Sequence, residues 1–288
     1  MGKIKMTANG EYPGHKLKGK ERYAKLYHYT SFEAFVKIWL SKSLKFCNVK
    51  NMNDVLESTL TPSMSLFWQA PLAYAYLDIR PRFRQISFTM DYDSYIKGCM
   101  SPVMWGTYAD KKNGVCIELD YDKLKFPKGV IKGPVVYKEF VDLYKEIPPE
   151  VCTVNQLKQF IIKNKRKEFL TKQLSWKGEN EYRVLLFDGD YLDISNAINA
   201  VHVISYSSDV CHFVEQLVKD EIPVKYLHYT SSNNKALPVM TVAKNVRKQM
   251  DNAKTNPNNA LAGLSEKARL IYDEHKNNPD YPLVLTSL

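Results

Sequence analysis

The sequence predicts an α+β protein, a β-sheet with flanking helices over about residues 26–245. Three observations predict it. Short runs rich in aromatic and β-branched residues recur along the chain, as strands require. Between them lie segments with apolar residues at helical spacing and with helix-start signals. A polar, Asn- and Lys-rich stretch from Lys244 to Asn259 then separates this core from a final helix, Ala260–His275. Residues 1–25 read as a basic N-terminal arm and residues 246–288 as a helical C-terminal appendage.

Taken in order, Leu26–Thr30 is a short aromatic run with strand composition. Thr30 and Glu33 have capping-box spacing, and Phe32, Phe35, Val36, Trp39 and Leu40 fall on one face of the helix that follows. Leu44–Cys47 reads as a strand, and Asn51, Asn53 and Asp54 mark a turn. Gln85–Met90 reads as another strand. Ser101-Pro102 is an N-cap with proline at the first helical position, opening a short helix with Met104, Trp105 and Tyr108. Asn113-Gly114 makes a tight turn into the strand Val115–Leu119. Residues 154–172 read as a basic helix. Glu181–Phe187 has an apolar interior, the mark of a central strand covered on both faces. Later segments read as strand (Val201–Ser205), helix (Ser207–Lys219) and two strands (Val224–Tyr229, Leu237–Val242).

With 44% apolar and 25% charged residues, fibrous and wholly disordered classes are excluded. The formal charge of +10 favours polyanionic partners over basic ones. Its surplus is concentrated. Residues 1–25 hold seven cations against Glu11 and Glu21, and residues 154–172 hold Lys158, Lys163, Lys165, Arg166, Lys167 and Lys172 against Glu168. No apolar run is long enough to cross a bilayer, and Met1–Met6 lacks the apolar core of a secretory signal, so a cytoplasmic protein with no membrane partner is expected. The five cysteines are odd in number and widely spaced, so reduced, mostly buried thiols are expected, with neither disulfides nor a metal site. Cys47 and Cys116 fall in apolar, strand-like runs.

Three places combine polar chemistry with a rigid setting. His28-Tyr29-Thr30 closes a strand, Trp105 and Tyr108 share a short helix after Ser87-Phe88-Thr89, and Glu179-Asn180-Glu181 opens an apolar strand. Strand alternation would put both glutamates on one face, roughly 6 to 7 Å apart. Carboxylates that close can divide labour, one staying ionised to stabilise positive charge and the other handling a proton. The plainer reading makes them a solvated strand end and the aromatic groups core.

His28-Tyr29-Thr30, Asn53-Asp54-x-x-Glu57, Met104-Trp105-x-x-Tyr108-Ala109-Asp110 running into Gly114-Val115-Cys116-Ile117-Glu118, and Trp176-x-x-Glu179-x-Glu181-Tyr182-Arg183 together resemble a prokaryotic and phage domain-of-unknown-function family. The likeness covers about residues 26–187. That family is in turn similar, more distantly, to ADP-ribosyltransferases. The resemblance implies a split mixed β-sheet core and NAD as substrate, with no metal. His28, Ser87-Phe88-Thr89 or Tyr108, and Glu179-x-Glu181 follow in the order of the signature, although Ser87-Phe88-Thr89 stands where that family has Ser-Thr-Ser.

Cleaving the nicotinamide–ribose bond passes through an oxocarbenium-like state, so a carboxylate aimed at the sugar acts mainly at the transition state. On this resemblance Glu181 and Glu179 are the catalytic residues. His28, Tyr29, Thr30, Asn53, Ser87, Trp105 and Tyr108 would contact NAD, with Trp105 or Tyr108 stacked on nicotinamide. Lys163, Lys165, Arg166 and Lys167 would hold an RNA or DNA acceptor through its phosphates. A protein acceptor is the other possibility. The family setting implies a toxin or antiviral effector, and with it a neutralising antitoxin or chaperone as partner. Two competing readings are a non-catalytic nucleic-acid- or partner-binding module, and a nuclease using Asp54, Glu57 and the paired glutamates around a metal.

Overall fold

A computed structural model describes residues 16–54, 70–111, 113–139, 148–204, 209–219, 221–232 and 235–242. Its compact units divide between His202 and Val203. The architecture is α+β, with both antiparallel and parallel strand pairs.

The first unit is organised by strands buried along most of their length. β1 (Lys25–Thr30) pairs along its whole length with β5 (Val115–Asp120), Leu26 opposite Leu119 and Thr30 opposite Val115. On its other edge β1 touches β4 (Phe83–Met90) only at Leu26↔Met90 and Tyr27↔Thr89. β4 in turn pairs with β9 (Glu181–Phe187) from Phe83↔Phe187 to Thr89↔Glu181, and β6 (Ile131–Pro134) lies beyond β9. β9 is therefore central, as its apolar interior predicts. β11 (Ile198–Val203) pairs with the far edge of β5. All these ladders are antiparallel.

A short strand, β3 (Cys47–Asn48), joins the edge of β4 that β1 vacates, at Gln85 and Arg84. Two small sheets flank this one: β2 (Ser43–Lys45) with β10 (Tyr191–Asp193), antiparallel, and β7 (Val136–Lys138) with β8 (Thr171–Gln173), parallel.

Four α-helices of the unit lie among the described residues. α1 (Phe32–Ser41) starts one residue later than the capping-box reading, because Ser31 rather than Thr30 accepts the Ala34 N–H, while Thr30 stays in β1. It buries Phe35 and Trp39, but Leu40 is exposed, so the apolar stripe is narrower than its spacing suggests. α2 spans Ala70–Ile79, and α3 (Pro102–Tyr108) starts at the expected Ser101 cap. α4 (Val154–Phe169) has a capping box between Thr153 and Gln156. It ends at Phe169, so Lys172 belongs to β8 and not to the basic helix. A core beneath α2 and α4 gathers Leu72, Tyr76, Ile79, Phe83, Leu157, Ile161, Phe169 and Leu185.

The described part of the basic arm is ordered. Gly19–Tyr23 forms a 3-10 turn, Lys20 pairs with Asp122 at 2.5 Å, and the Arg22 guanidinium donates to Asn180 Oδ1 at 3.3 Å. Residues 1–15 lie outside the described residues, as do Glu57, the whole 244–259 boundary stretch and the final helix Ala260–His275. Cys99, Cys116 and Cys211 are buried as expected, whereas Cys47 and Cys152 are exposed, Cys47 because β3 is a two-residue edge strand. The second unit contains α5 (Asp209–Val218) and a hairpin of β12 (Val224–Ser232) with β13 (Lys235–Val242). No helix among the described residues is long and apolar enough to cross a membrane.

Candidate active site

β1 follows β5 away from β4 after Tyr27, and the pairing of β3 with β4 stops at Gln85, so the edge of β4 between them is left without a strand. A backbone carbonyl exposed in this way needs another donor. His28 supplies it, with Nδ1 3.1 Å from the Ser87 carbonyl oxygen. Burial lowers the pKa of His28, against the opposing effect of that carbonyl, so the ring is neutral near pH 7. A carbonyl can only accept, so Nδ1 carries the proton and Nε2 is an acceptor.

At this gap in the sheet opens a cavity of about 280 Å³. His28, Tyr29, Asn53, Ser87, Tyr108, Glu179 and Glu181 all line it, although they come from five separate segments of the chain. Gln85, Met52 and Lys172 line it too, and none of these three stood out in the sequence as a site residue.

The glutamates meet by a different route from strand alternation. Glu179 ends a 3-10 segment, Leu174–Glu179, and Asn180 turns the chain with φ of 46° before β9 begins. Asn tolerates this left-handed conformation, and its side chain secures it by donating to the Met90 and Asp91 carbonyls, both at 3.0 Å. Lys172 bridges the two carboxylates, its Nζ 2.6 Å from Glu179 Oε2 and 3.6 Å from Glu181 Oε2. Arg183 clasps Glu181 from the same strand, Nε to Oε1 at 2.7 Å and Nη2 to Oε2 at 2.9 Å. All four side chains are buried, and Arg183 is only 1% exposed.

Burial would raise the Glu181 pKa, but the charges of Arg183 and then Lys172, with hydrogen bonds from Arg183 and Ser87, outweigh it and bring it to about 2. Glu181 is therefore ionised throughout the physiological range. The Tyr108 hydroxyl donates to Glu179 Oε1, and Asn53 also bonds it. Burial, followed by the bond to Glu179, raises the Tyr108 pKa, so the hydroxyl keeps its proton. Tyr137, from β7, accepts the Glu181 backbone N–H at 2.8 Å.

Residues 104–184 match a family of proteins of unknown function, DUF2971. This DUF2971 segment carries Trp105, Tyr108, Lys172, Glu179, Glu181 and Arg183, and it begins well after the His28 and Asn53 motifs. Neither the curated proteins nor the solved structures contain a significant match to the chain.

Not every site residue expected from the sequence reaches the cavity. Trp105, within the DUF2971 segment, is core: it is 1% exposed, donates from Nε1 to the Cys99 carbonyl at 2.8 Å and packs edge-on to Tyr29. Tyr108, by contrast, lines the cavity. Thr30 is buried outside the lining, and Tyr29 lines the cavity with its hydroxyl already committed to the Gly98 carbonyl at 2.7 Å. Glu118 of the motif points elsewhere, bonded to His202 at 2.9 Å and to Asn199. Lys163, Lys165, Arg166 and Lys167 are exposed on α4 and do not line the cavity. Asp54 is buried beside Asn53 and does not line it either; among the described residues no three His, Cys, Asp or Glu side chains gather in metal-binding geometry.

Proposed function

We propose that the protein is an ADP-ribosyltransferase that uses NAD, cleaving the nicotinamide–ribose bond and passing ADP-ribose to a nucleic acid or a protein. The observation that carries this reading is the convergence of His28, Ser87, Tyr108, Glu179 and Glu181 on one cavity where two strands part. A volume of about 280 Å³ lies at the small end for ligand pockets and suits the nicotinamide–ribose half of the dinucleotide. In this reading the sheet is the split core of the ADP-ribosyltransferase type.

Each side chain then has a role set by its surroundings. His28 Nε2 accepts a ribose hydroxyl, since the ring is neutral and Nδ1 is occupied. Tyr108 offers an aromatic face to the nicotinamide ring. Glu181, fixed as an anion, faces the positive charge that develops on the ribose. Counted as two carboxylates and two cations, Glu179, Glu181, Lys172 and Arg183 make a neutral group. Neutralising Glu181 leaves that group with a net positive charge, which repels the developing cation. Glu179 orients or deprotonates the acceptor, and the exposed cations of α4 offer phosphate contacts to a nucleic-acid acceptor. Action as a toxin or antiviral effector, with a neutralising partner, belongs to the same proposal.

Incubation with labelled NAD and separate RNA, DNA and protein pools tests it. Transfer to one pool is expected, and Glu181→Gln lowers it by about 100-fold or more. Glu179→Gln reduces transfer while nicotinamide release persists. Melting curves of each variant separate lost chemistry from lost fold. Undiminished transfer in Glu181→Gln, or neither transfer nor NAD-induced stabilisation in the native protein, would overturn the proposal.

A further inference from the structure

A second cavity, of about 410 Å³, lies within the first unit and away from the glutamates. Its wall is apolar: Ile79 from α2, Phe83 from β4, Ile131 from β6, Ile161 and Ile162 from α4, and Phe187 from β9. Ile79, Phe83, Ile131 and Ile161 belong to the core beneath α2 and α4. At the mouth the same apolar surface reaches solvent, with Ile162 50% and Phe187 43% exposed. Exposed apolar surface continuous with a core is a feature that soluble proteins seldom leave without a use.

The charged side chains that line this cavity are Lys158, Lys165 and Arg82. Lys158, Ile161, Ile162 and Lys165 stand at i, i+3, i+4 and i+7 on α4, so both ammonium groups flank the two isoleucines on one helix face. Arg82 completes the polar lining and covers the Phe187 ring at 4.4 Å, but its charge is matched by Asp188. Among the described residues no carboxylate lines the cavity. Lys158 and Lys165 have no ion-pair partner among the described residues.

We propose that this cavity binds a small amphipathic anion, an acyl or aryl group in the apolar pocket with its carboxylate or phosphate against Lys158 and Lys165. The reading is independent of the ADP-ribosyltransferase proposal. It also gives Lys165 a role apart from the rest of the basic helix face, since Lys163 and Lys167 do not line the cavity.

Calorimetric titration of the full chain with decanoate, decanol and decyltrimethylammonium, each below its micelle concentration, tests it. Decanoate is expected to bind at one site, with decanol about tenfold weaker and the cationic amphiphile weaker still. The pair Lys158→Glu and Lys165→Glu should lower decanoate affinity by tenfold or more and leave decanol unchanged. The control pair Lys163→Glu and Lys167→Glu should change neither. Equal affinity for all three head groups, an equal loss in both variant pairs, or absence of saturable binding would overturn the proposal. So would retention on phosphatidylglycerol vesicles that decanoate fails to displace, which would assign the patch to a membrane surface.

Discussion

Lys172 Nζ sits within ion-pair distance of both Glu179 and Glu181 in a place that is 5% exposed. Removing a partner from buried charges leaves an uncompensated ion, which costs about 3–5 kcal/mol. Lys172→Met is therefore expected to lower the unfolding free energy extrapolated from urea curves by that much, while Lys172→Arg, which keeps the charge, loses less. Nothing in the sequence singles this lysine out, because it looks like one more cation at the end of a basic run. Trp105 is the reverse case: it is prominent in the motif and structural in the fold. Trp105→Phe should cost about 1–3 kcal/mol, since the Cys99 carbonyl loses its donor, and should leave the NAD affinity proposed for the cavity unchanged. Unfolding curves and NAD titration of the variant check both halves of that statement.

At the scale of elements, the strands and the α3 start are legible, because Ser101-Pro102 and the aromatic and β-branched runs act locally. The boundary between Glu179 and β9 is not. Period-two reasoning assumes an unbroken strand, yet Asn180 leaves the extended region and is held there by contacts with Met90 and Asp91, 89 or 90 residues away in sequence. The turn makes a graded prediction. Asn180→Gly keeps access to the left-handed conformation but loses both amide bonds, whereas Asn180→Ala loses both and adds backbone strain of about 1–2 kcal/mol. Stability should fall in the order Asn, Gly, Ala, as thermal melts would record. The end of α4 is likewise set by tertiary demand. The parallel pairing of β7 with β8 draws Lys172 out of a helical run and delivers it, with Tyr137, to the site.

For the whole molecule, the buried titratable groups predict how stability responds to acid. Glu181 has its folded pKa depressed to about 2 from 4.5, so its contribution is present above pH 4.5 and is lost between 4.5 and 2. A shift of that size is worth about 3 kcal/mol. His28 is also depressed, so the unfolded chain takes up its proton first and stability begins to fall as pH drops below 6.5. His228 adds in the same direction, and Asp91, raised by burial, opposes both at lower pH. Urea titrations at pH 7, 5.5 and 3.5 should show two successive losses, the first smaller in His28→Gln.

The sequence alone determined the α+β class, most strands and the short capped helix, because these depend on side-chain pattern within a few residues. It also located the charge surplus on α4, which remains exposed. Only the tertiary structure decided that β1 leaves β4 after Tyr27, that the gap becomes a cavity, and that Lys172 and Arg183 neutralise the two glutamates inside it. The physical reason is range. A cap or an apolar period acts between neighbours, whereas the pairing of a buried charge and the parting of two strands are settled by groups that meet only when the chain has folded.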